Sequence, residues 1–404
     1  MGAYWIDWLS LLGRWTHVVV GIAWIGASFY FVWLDNHLLV PNDKTLTDKG
    51  VGGELWAVHG GGFYNPQKYK LAPAQLPSTL HWFYWEAYST WLSGFFLLCL
   101  LYYRAPELYL IDPRVYALMP SAAIAIGLAS LFGGWGIYHA LCQSPLARNN
   151  GALSTVLGIL LAAAAWGLCQ VFSGRGAFLH FGALLGTIMA ANVFFVIIPG
   201  QRQMVADIKA GRVPSPIHGQ RGKQRSVHNT YFTLPVLFVM ISNHYAMTYG
   251  SGYNWLALIG LTIAGATIRV WFVNRHKAHE RGGRTAPTPL LIGLIALALV
   301  AWLLKPASAV ATSSATQPPA AQFQQVLAIV AERCAVCHAE HPRFAGFSAP
   351  PKGVMLDTPE RVLEHAAAMQ VQLASGAMPV GNLTQMSDAE RSQMLAWIAA
   401  GAPH

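Results

Sequence analysis

A chain of 404 residues that is 54% hydrophobic and only 11% charged is not a soluble globular protein, since soluble domains carry about 25% charged residues. Its net charge of +9 does not mark a nucleic-acid binder either. Residues 1–305 hold 21 Lys and Arg against 10 Asp and Glu, whereas residues 306–404 hold 5 against 7. The positive excess therefore lies wholly in the apolar part, where it follows membrane topology.

Apolar runs of about 20 residues, the length that spans a bilayer, fall near 9–34, 82–103, 115–141, 152–173, 177–199, 229–249, 253–274 and 288–304. They predict an all-α fold, a polytopic membrane bundle of about eight transmembrane helices over residues 1–305. The fourth run is Ala-rich yet uncharged. The first is too long for a signal-peptide core and has no basic leader. It runs into Trp33-Leu34-Asp35 rather than a small-residue cleavage site.

The polar residues of these spans are rich in histidine. His17, His139, His180 and His244 lie within predicted helices, His81 and His228 open two others, and Glu86 and Arg269 are charges within spans. Ionisable groups are costly in a bilayer, so they face the bundle interior and are functional candidates. A single histidine can equally well serve as an interhelical hydrogen bond. A weak internal repeat connects them. His17 precedes Gly21, Gly26 and Phe29-Tyr30-Phe31, as His180 precedes Gly186 and Phe194-Phe195. His81-Trp-Phe-Tyr84 is echoed by His228-Asn-Thr-Tyr231, and Trp135-x3-His139 by Trp271-x4-His276. Equivalent helices run the same way, which implies a parallel four-plus-four repeat. Such a repeat brings His17 and His180 to one seam, where His17, His180 or His244 could ligate a b-type haem.

Residues 306–321 are rich in Ala, Ser, Thr and Pro, carry no charge and show no periodicity. They read as a flexible linker. Beyond it, in residues 322–404, stands Cys334-Ala-Val-Cys337-His338. C-x-x-C-H attaches a c-type haem through two cysteine thioethers, with the histidine as proximal iron ligand. Phe323, Val326, Leu327, Val330 and Cys334 follow helical spacing, so a helix presents the first cysteine from its apolar face. A zinc or redox C-x-x-C is the alternative, but Cys99, Cys142 and Cys169 stand alone in apolar runs and supply no second ligand pair. A small all-α, class I-type cytochrome c domain with one covalent haem c is expected.

Five methionines compete to be the second axial ligand. Met394 lies on the buried face of a last helix opened by a Ser387/Glu390 capping box, and Met369 lies in a helix opened by Thr358-Pro359. Met378 follows Gly376, where that helix should end, and precedes Pro379, which makes its segment an extended loop. Met378 is therefore favoured over Met355 or Met386.

In bacteria, haem is attached to C-x-x-C-H outside the inner membrane, so the C-terminal domain should be periplasmic. Eight helices then put the N-terminus outside as well. The inside loops carry 15 basic residues, among them Lys44, Arg148, Arg221, Lys223, Arg225 and Arg284. Outside, only Arg104, Arg114, Arg175 and Lys305 flank the helices. This agrees with the positive-inside rule. His17, His180 and His244, with Arg14 nearby, then fall in the periplasmic half. His81, Glu86, His139, His228 and Arg269 fall in the cytoplasmic half.

Four membrane stretches carry a family resemblance. They are Trp15-Thr-His17 with the run from Gly21 to Asp35, Leu80-His-Trp-Phe-Tyr-Trp-Glu-Ala-Tyr88, His228-Asn-Thr-Tyr-Phe-Thr-Leu-Pro-Val-Leu-Phe238, and Ser242-Asn-His-Tyr245. Together with Met378–Met386 and Trp397–Ala402 near the C-terminus, the chain resembles the bacterial membrane-bound urate hydroxylases over essentially its whole length. The resemblance implies a membrane domain fused to cytochrome c. It also implies oxidation of urate to 5-hydroxyisourate in purine breakdown. Electrons would leave through the haem to a soluble cytochrome c or a terminal oxidase, rather than reducing O2 to peroxide. No catalytic residue is carried over from the family.

Urate is an anion with an extended π system, so its site needs a cation, aromatic walls and a proton acceptor. Glu86, His81, His139, His228 and Arg269, with Trp82, Trp85 and Tyr231 near them, supply each type. A quinol-linked electron-transfer or anchoring subunit of a respiratory complex is the competing class. It predicts reduction by quinol and indifference to urate.

Overall fold

The computed structural model describes every residue except 1, 74, 281–282, 306–318, 345–346 and 348. Eight helices form the bundle, and short helical turns between them carry no label. These are α1 (Gly2–His37), α2 (Trp85–Leu98), α3 (Pro120–Gln143), α4 (Asn150–Val171), α5 (Gly174–Asn192), α6 (Pro216–Ser242), α7 (Asn254–Glu280) and α8 (Thr288–Leu303). Two of them run on through a wider π-helical turn, α2 through Cys99–Tyr103 and α5 through Val193–Ile197 and then Ile198–Lys209. Proline in the first turn starts α3, α6 and α8, where its missing N–H has no intrahelical partner to lose. Asn149 and Ser173 cap α4 and α5 by accepting from the backbone N–H groups of Ala152 and Gly176.

Each of the eight apolar runs contains a helix, and among the described residues five helices are both long and apolar enough to cross a membrane: Tyr4–His37, Pro120–Gln143, Asn150–Val171, Gly174–Lys209 and Asn254–Arg275. The other three fall short for separate reasons. α2 carries Glu86 and a polar, aromatic first half before its apolar end, and α8 has only 16 residues. α6 begins at Pro216, well before the apolar run at 229, because the polar stretch 216–228 is itself helical.

α5 is the axis of the bundle, buried along most of its length and packed by α2, α3, α4 and α6. α1 lies against α2 and α7, and α7 runs closely along α8. Small residues permit that last approach: a Cβ on Gly293 would sit 2.6 Å from Ile268 Cγ1, and one on Gly260 2.5 Å from Val300 Cγ2. α1 on α2 and α5 on α6 are the pairs a four-plus-four repeat requires. α3 and α4 meet far less than α7 and α8 do, so the two halves are not equivalent.

Between α1 and α2 the chain builds two small antiparallel ladders, Val51–Glu54 with Gln67–Tyr69 and Ala57–His59 with Gly62–Tyr64. The second closes through Gly60 and Gly61, both at positive φ, the demand of a tight two-residue hairpin turn.

The C-terminal unit has its own core. Four helices, α9 (Pro319–Arg333), α10 (Pro359–Glu364), α11 (Ala366–Ala374) and α12 (Asp388–Ala399), enclose Val326, Val330, Met394 and Trp397. Phe323 stacks on Trp397 with ring centroids 5.7 Å apart. The Ser387/Glu390 capping box opens α12 as expected, and Thr358 caps α10. Of the expected linker 306–321, residues 306–318 lie outside the described residues, and 319–321 already belong to α9.

The unit sits on the end of the bundle formed by the α2–α3 and α6–α7 connections. Gly381 rests on the carbonyls of Glu107 and Ile111, where a Cβ would come within 3.1 Å of either oxygen. Gly250 abuts the Ser375 carbonyl. This is the end that flanks the helices with few basic residues. The connections rich in Lys and Arg lie at the opposite end.

Candidate functional site

Near the C-terminal unit, the π turn of α2 directs Tyr102 and Tyr103 toward α5. Tyr103 Oη lies 3.0 Å from His180 Nε2, and His180 Nδ1 lies 2.9 Å from the Gly176 carbonyl. A carbonyl only accepts, so Nδ1 carries the proton and Nε2 accepts from the Tyr103 hydroxyl. Gly127 of α3 makes room, since a Cβ there would lie 2.7 Å from His180 Nε2. Arg175 Nε donates to Tyr102 Oη and Asn243 Oδ1, each at 3.1 Å, and its guanidinium lies 4.7 Å from the centre of the Tyr109 ring.

A second polar cluster lies toward the other end, where α3, α5 and α6 meet. Tyr138 Oη is 2.8 Å from His228 Nδ1, and Asn192 Nδ2 donates to Tyr138 Oη at 3.0 Å and to Asn229 Oδ1 at 2.9 Å. Arg225, only 3% exposed, holds its guanidinium 4.9 Å from the centre of the Tyr138 ring. Beside Tyr138 on α3, His139 lies against Trp135, and Trp135 against Phe195, at 5.0 and 4.8 Å between ring centres. Gln143 Nε2 approaches His139 Nε2 at 2.6 Å. The amide can only donate there, which leaves the proton on His139 Nδ1.

The structure thus joins His139 and His228 in one region and disperses the other expected site residues. His81 is exposed in an extended stretch and does not open a helix, because α2 starts at Trp85. Glu86 is half-buried in the first turn of α2. Arg269 covers the Phe29 ring at 3.9 Å, and its Nε and Nη2 are buried without a hydrogen-bond partner among the described residues. His228 lies in the middle of α6 rather than at its start. His244 is exposed in the turn after α6, which ends at Ser242, so it is not inside a helix. Arg225, expected in an inside loop, is buried within α6 because the polar approach to that helix is helical too.

His17 Nδ1 lies 3.0 Å from Ser93 Oγ, with the ring packed on Gly94. His17 and His180 therefore meet α2 ten residues apart, about 15 Å along the helix, and both His180 nitrogens are occupied. These residues do not fit a shared b-type haem.

In the C-terminal unit, α9 delivers Cys334 to a turn in which Cys334 and His338 N–H groups donate to the Val330 and Cys334 carbonyls, each at 2.9 Å. Burial pushes the Cys334 thiol up to about 12, and Cys337 moves in the same direction. His338 Nδ1 lies 3.0 Å from the Val354 carbonyl. Nδ1 therefore holds the proton and Nε2 is left to act as a ligand. Arg391 Nη1 donates to the carbonyls of Leu373 and Met378, each at 2.8 Å, fixing the Met378 loop. Met386 is only 3% exposed and fills the core, and Met355 is half-buried. Cys334, Cys337, His338 and Met378 could hold a covalent c-type haem. Among the described residues no group of three or more His, Cys, Asp or Glu could hold a metal ion, and a haem iron held by one His and one Met needs none.

Residues that the sequence reading passed over are Arg225, Tyr138 and Asn192 in one cluster, and Tyr103 in the other. Arg225-x-x-His228-Asn229 is spaced to share one helical face, a signal available without the structure. Comparison with curated proteins and with solved structures finds no match. The family model described as urate oxidase N-terminal matches residues 3–304, which is the whole bundle, and the chain belongs to that family.

Proposed function

We propose that the protein is a membrane-bound urate hydroxylase of purine breakdown, passing electrons to a c-type haem in its own C-terminal unit and not to O2. Urate and water give 5-hydroxyisourate, two electrons and two protons, the new oxygen entering at C5. The observation that carries this reading is the joining, in one chain, of a urate oxidase N-terminal domain with a C-x-x-C-H unit.

Cys334 and Cys337 would form the thioethers, and His338 Nε2 and Met378 would be the axial ligands. When bound, a His/Met haem supplies a one-electron acceptor of raised potential. The chain's own residues prepare for it. The Val354 carbonyl orients His338, and Arg391 holds the Met378 loop. In this reading both termini lie in the periplasm, the bundle spans the bacterial inner membrane, and a soluble cytochrome c or a terminal oxidase collects the electrons. The bias of basic residues toward the opposite end supports that orientation.

Purified protein mixed with urate under anaerobic conditions is expected to show the reduced c-type spectrum. No peroxide is expected when air is admitted. Reduction by quinol with indifference to urate would replace this reading with that of a respiratory subunit. Urate uptake into vesicles without haem reduction would make the protein a transporter.

The seat of the C-terminal unit gives a second expectation. Gly250 has an ordinary helical φ of −83°, so its glycine is explained by the Ser375 carbonyl against it and not by backbone strain. Gly250→Val should displace the unit and slow urate-driven haem reduction by about tenfold or more. Reduction by dithionite should keep its wild-type rate. Stopped-flow absorbance measures both, and an unchanged urate-driven rate would show that this docking does not serve electron transfer.

A further inference from the structure

We propose that Trp135, His139, Asn192 and Arg225 form the binding site for the urate anion, a proposal that rests on the urate reading above. Trp135 Nε1, His139 Nδ1, Asn192 Oδ1 and Arg225 Nη1 are buried polar atoms without a hydrogen-bond partner, four of the eight such atoms among the described residues. Buried polar groups are nearly always paired, so a concentration of unpaired ones on three adjoining helices calls for a ligand.

The character of that ligand follows from the atoms. Arg225, Trp135 and, with its Nε2 taken by Gln143, His139 each offer an N–H. Asn192 Oδ1 offers an acceptor, because its Nδ2 is already committed to Tyr138 and Asn229. The set suits a molecule with several carbonyl or anionic acceptors and at least one N–H, which describes the urate anion.

Charge makes the same selection. Arg225 is 3% exposed, and no carboxylate pairs with it among the described residues. A lone buried cation is unfavourable in a membrane bundle, and a bound anion removes that penalty. Trp135 offers its N–H edge, and its ring, packed with His139 and Phe195, gives the site the aromatic surroundings a flat heterocycle needs. Asn192 immediately precedes the π turn Val193–Ile197, the kind of helical irregularity that recurs at functional sites. His228 stands one helical turn from Arg225 and is linked to the site through the Tyr138 hydroxyl, where it can receive the proton that urate loses on oxidation.

The test uses full-length haem-loaded protein, with urate itself as probe. Equilibrium binding and anaerobic reduction are measured for wild type, Arg225→Gln, Arg225→Lys and Trp135→Phe. Arg225→Gln should weaken urate binding about 100-fold, and Arg225→Lys should recover part of the loss. Trp135→Phe keeps an aromatic ring in place and removes one donor, which should cost about tenfold in affinity. Urate should raise the thermal melt of wild type and raise that of Arg225→Gln far less; equal upward shifts would mark Arg225 as a purely structural residue.

Wild-type affinity in Arg225→Gln overturns the site. If that variant does not fold, wild-type affinity in Trp135→Phe overturns it instead. Wild-type protein that binds urate without haem reduction defeats the proposed reaction while the variants still decide the site. Wild-type protein that does not bind urate overturns both.

Discussion

His338→Ala is expected to lose the low-spin haem spectrum and to reduce urate-driven electron transfer to below about 1% of wild type. The imidazole stands in a prepared place. Its Nδ1 is fixed on the Val354 carbonyl at 3.0 Å, and its own carbonyl accepts from Leu356 N–H at 2.6 Å. Truncation removes Nε2, the nitrogen left to bind iron, but leaves Cys334 and Cys337 for covalent attachment. Optical spectra and a haem stain after denaturing electrophoresis separate those two consequences. A low-spin spectrum in the variant would exclude His338 as the ligand. The pyridine haemochrome of wild type should show one c-type haem per chain; a b-type haem beside it would supply the redox step between the Arg225 cluster and the haem unit at the opposite end of the bundle, and would be held elsewhere than between His17 and His180, which engage α2 about three helical turns apart.

Met378→Ala should retain covalent haem, lose the Met–iron charge-transfer band and lower the midpoint potential by about 0.1 V or more. Arg391 ties the loop that carries Met378 to the end of α11, donating to the Met378 carbonyl in the loop and the Leu373 carbonyl in the helix. Met386 instead packs into the core at 3% exposure, and Met394 and Met369 are buried with it. Substituting any of these three should destabilise the unit without moving the potential. Potentiometric titration across the set decides the assignment. A fall in potential confined to Met355→Ala would transfer the role to that residue.

The bundle and the C-terminal helices were legible because their signals are local. A run of apolar residues is helical wherever it sits in a membrane, since the backbone must satisfy its own hydrogen bonds. The Ser387/Glu390 box and the Thr358 cap act within one turn of helix. The start of α6 was misplaced because hydropathy marks where a helix is apolar, not where it begins. Residues 216–228 are polar and helical, so Arg225 lies inside the helix rather than in a loop and His228 at its middle rather than its end. His244 was misplaced for the converse reason, an apolar run that continues past the helix into a turn.

The sequence by itself determined the membrane class, the helical runs, the C-x-x-C-H attachment motif and the resemblance to urate-oxidising proteins, because each is encoded in contiguous residues or in composition. Only the tertiary structure decided which polar residues meet. Tyr138, Asn192, Arg225 and His228 come from α3, α5 and α6 and are brought together by how those helices turn and pack. His17 and His180, matched by the apparent repeat, engage different parts of α2. Helix rotation and depth are set by packing against neighbours, and that information is distributed over the whole bundle rather than written in any one segment.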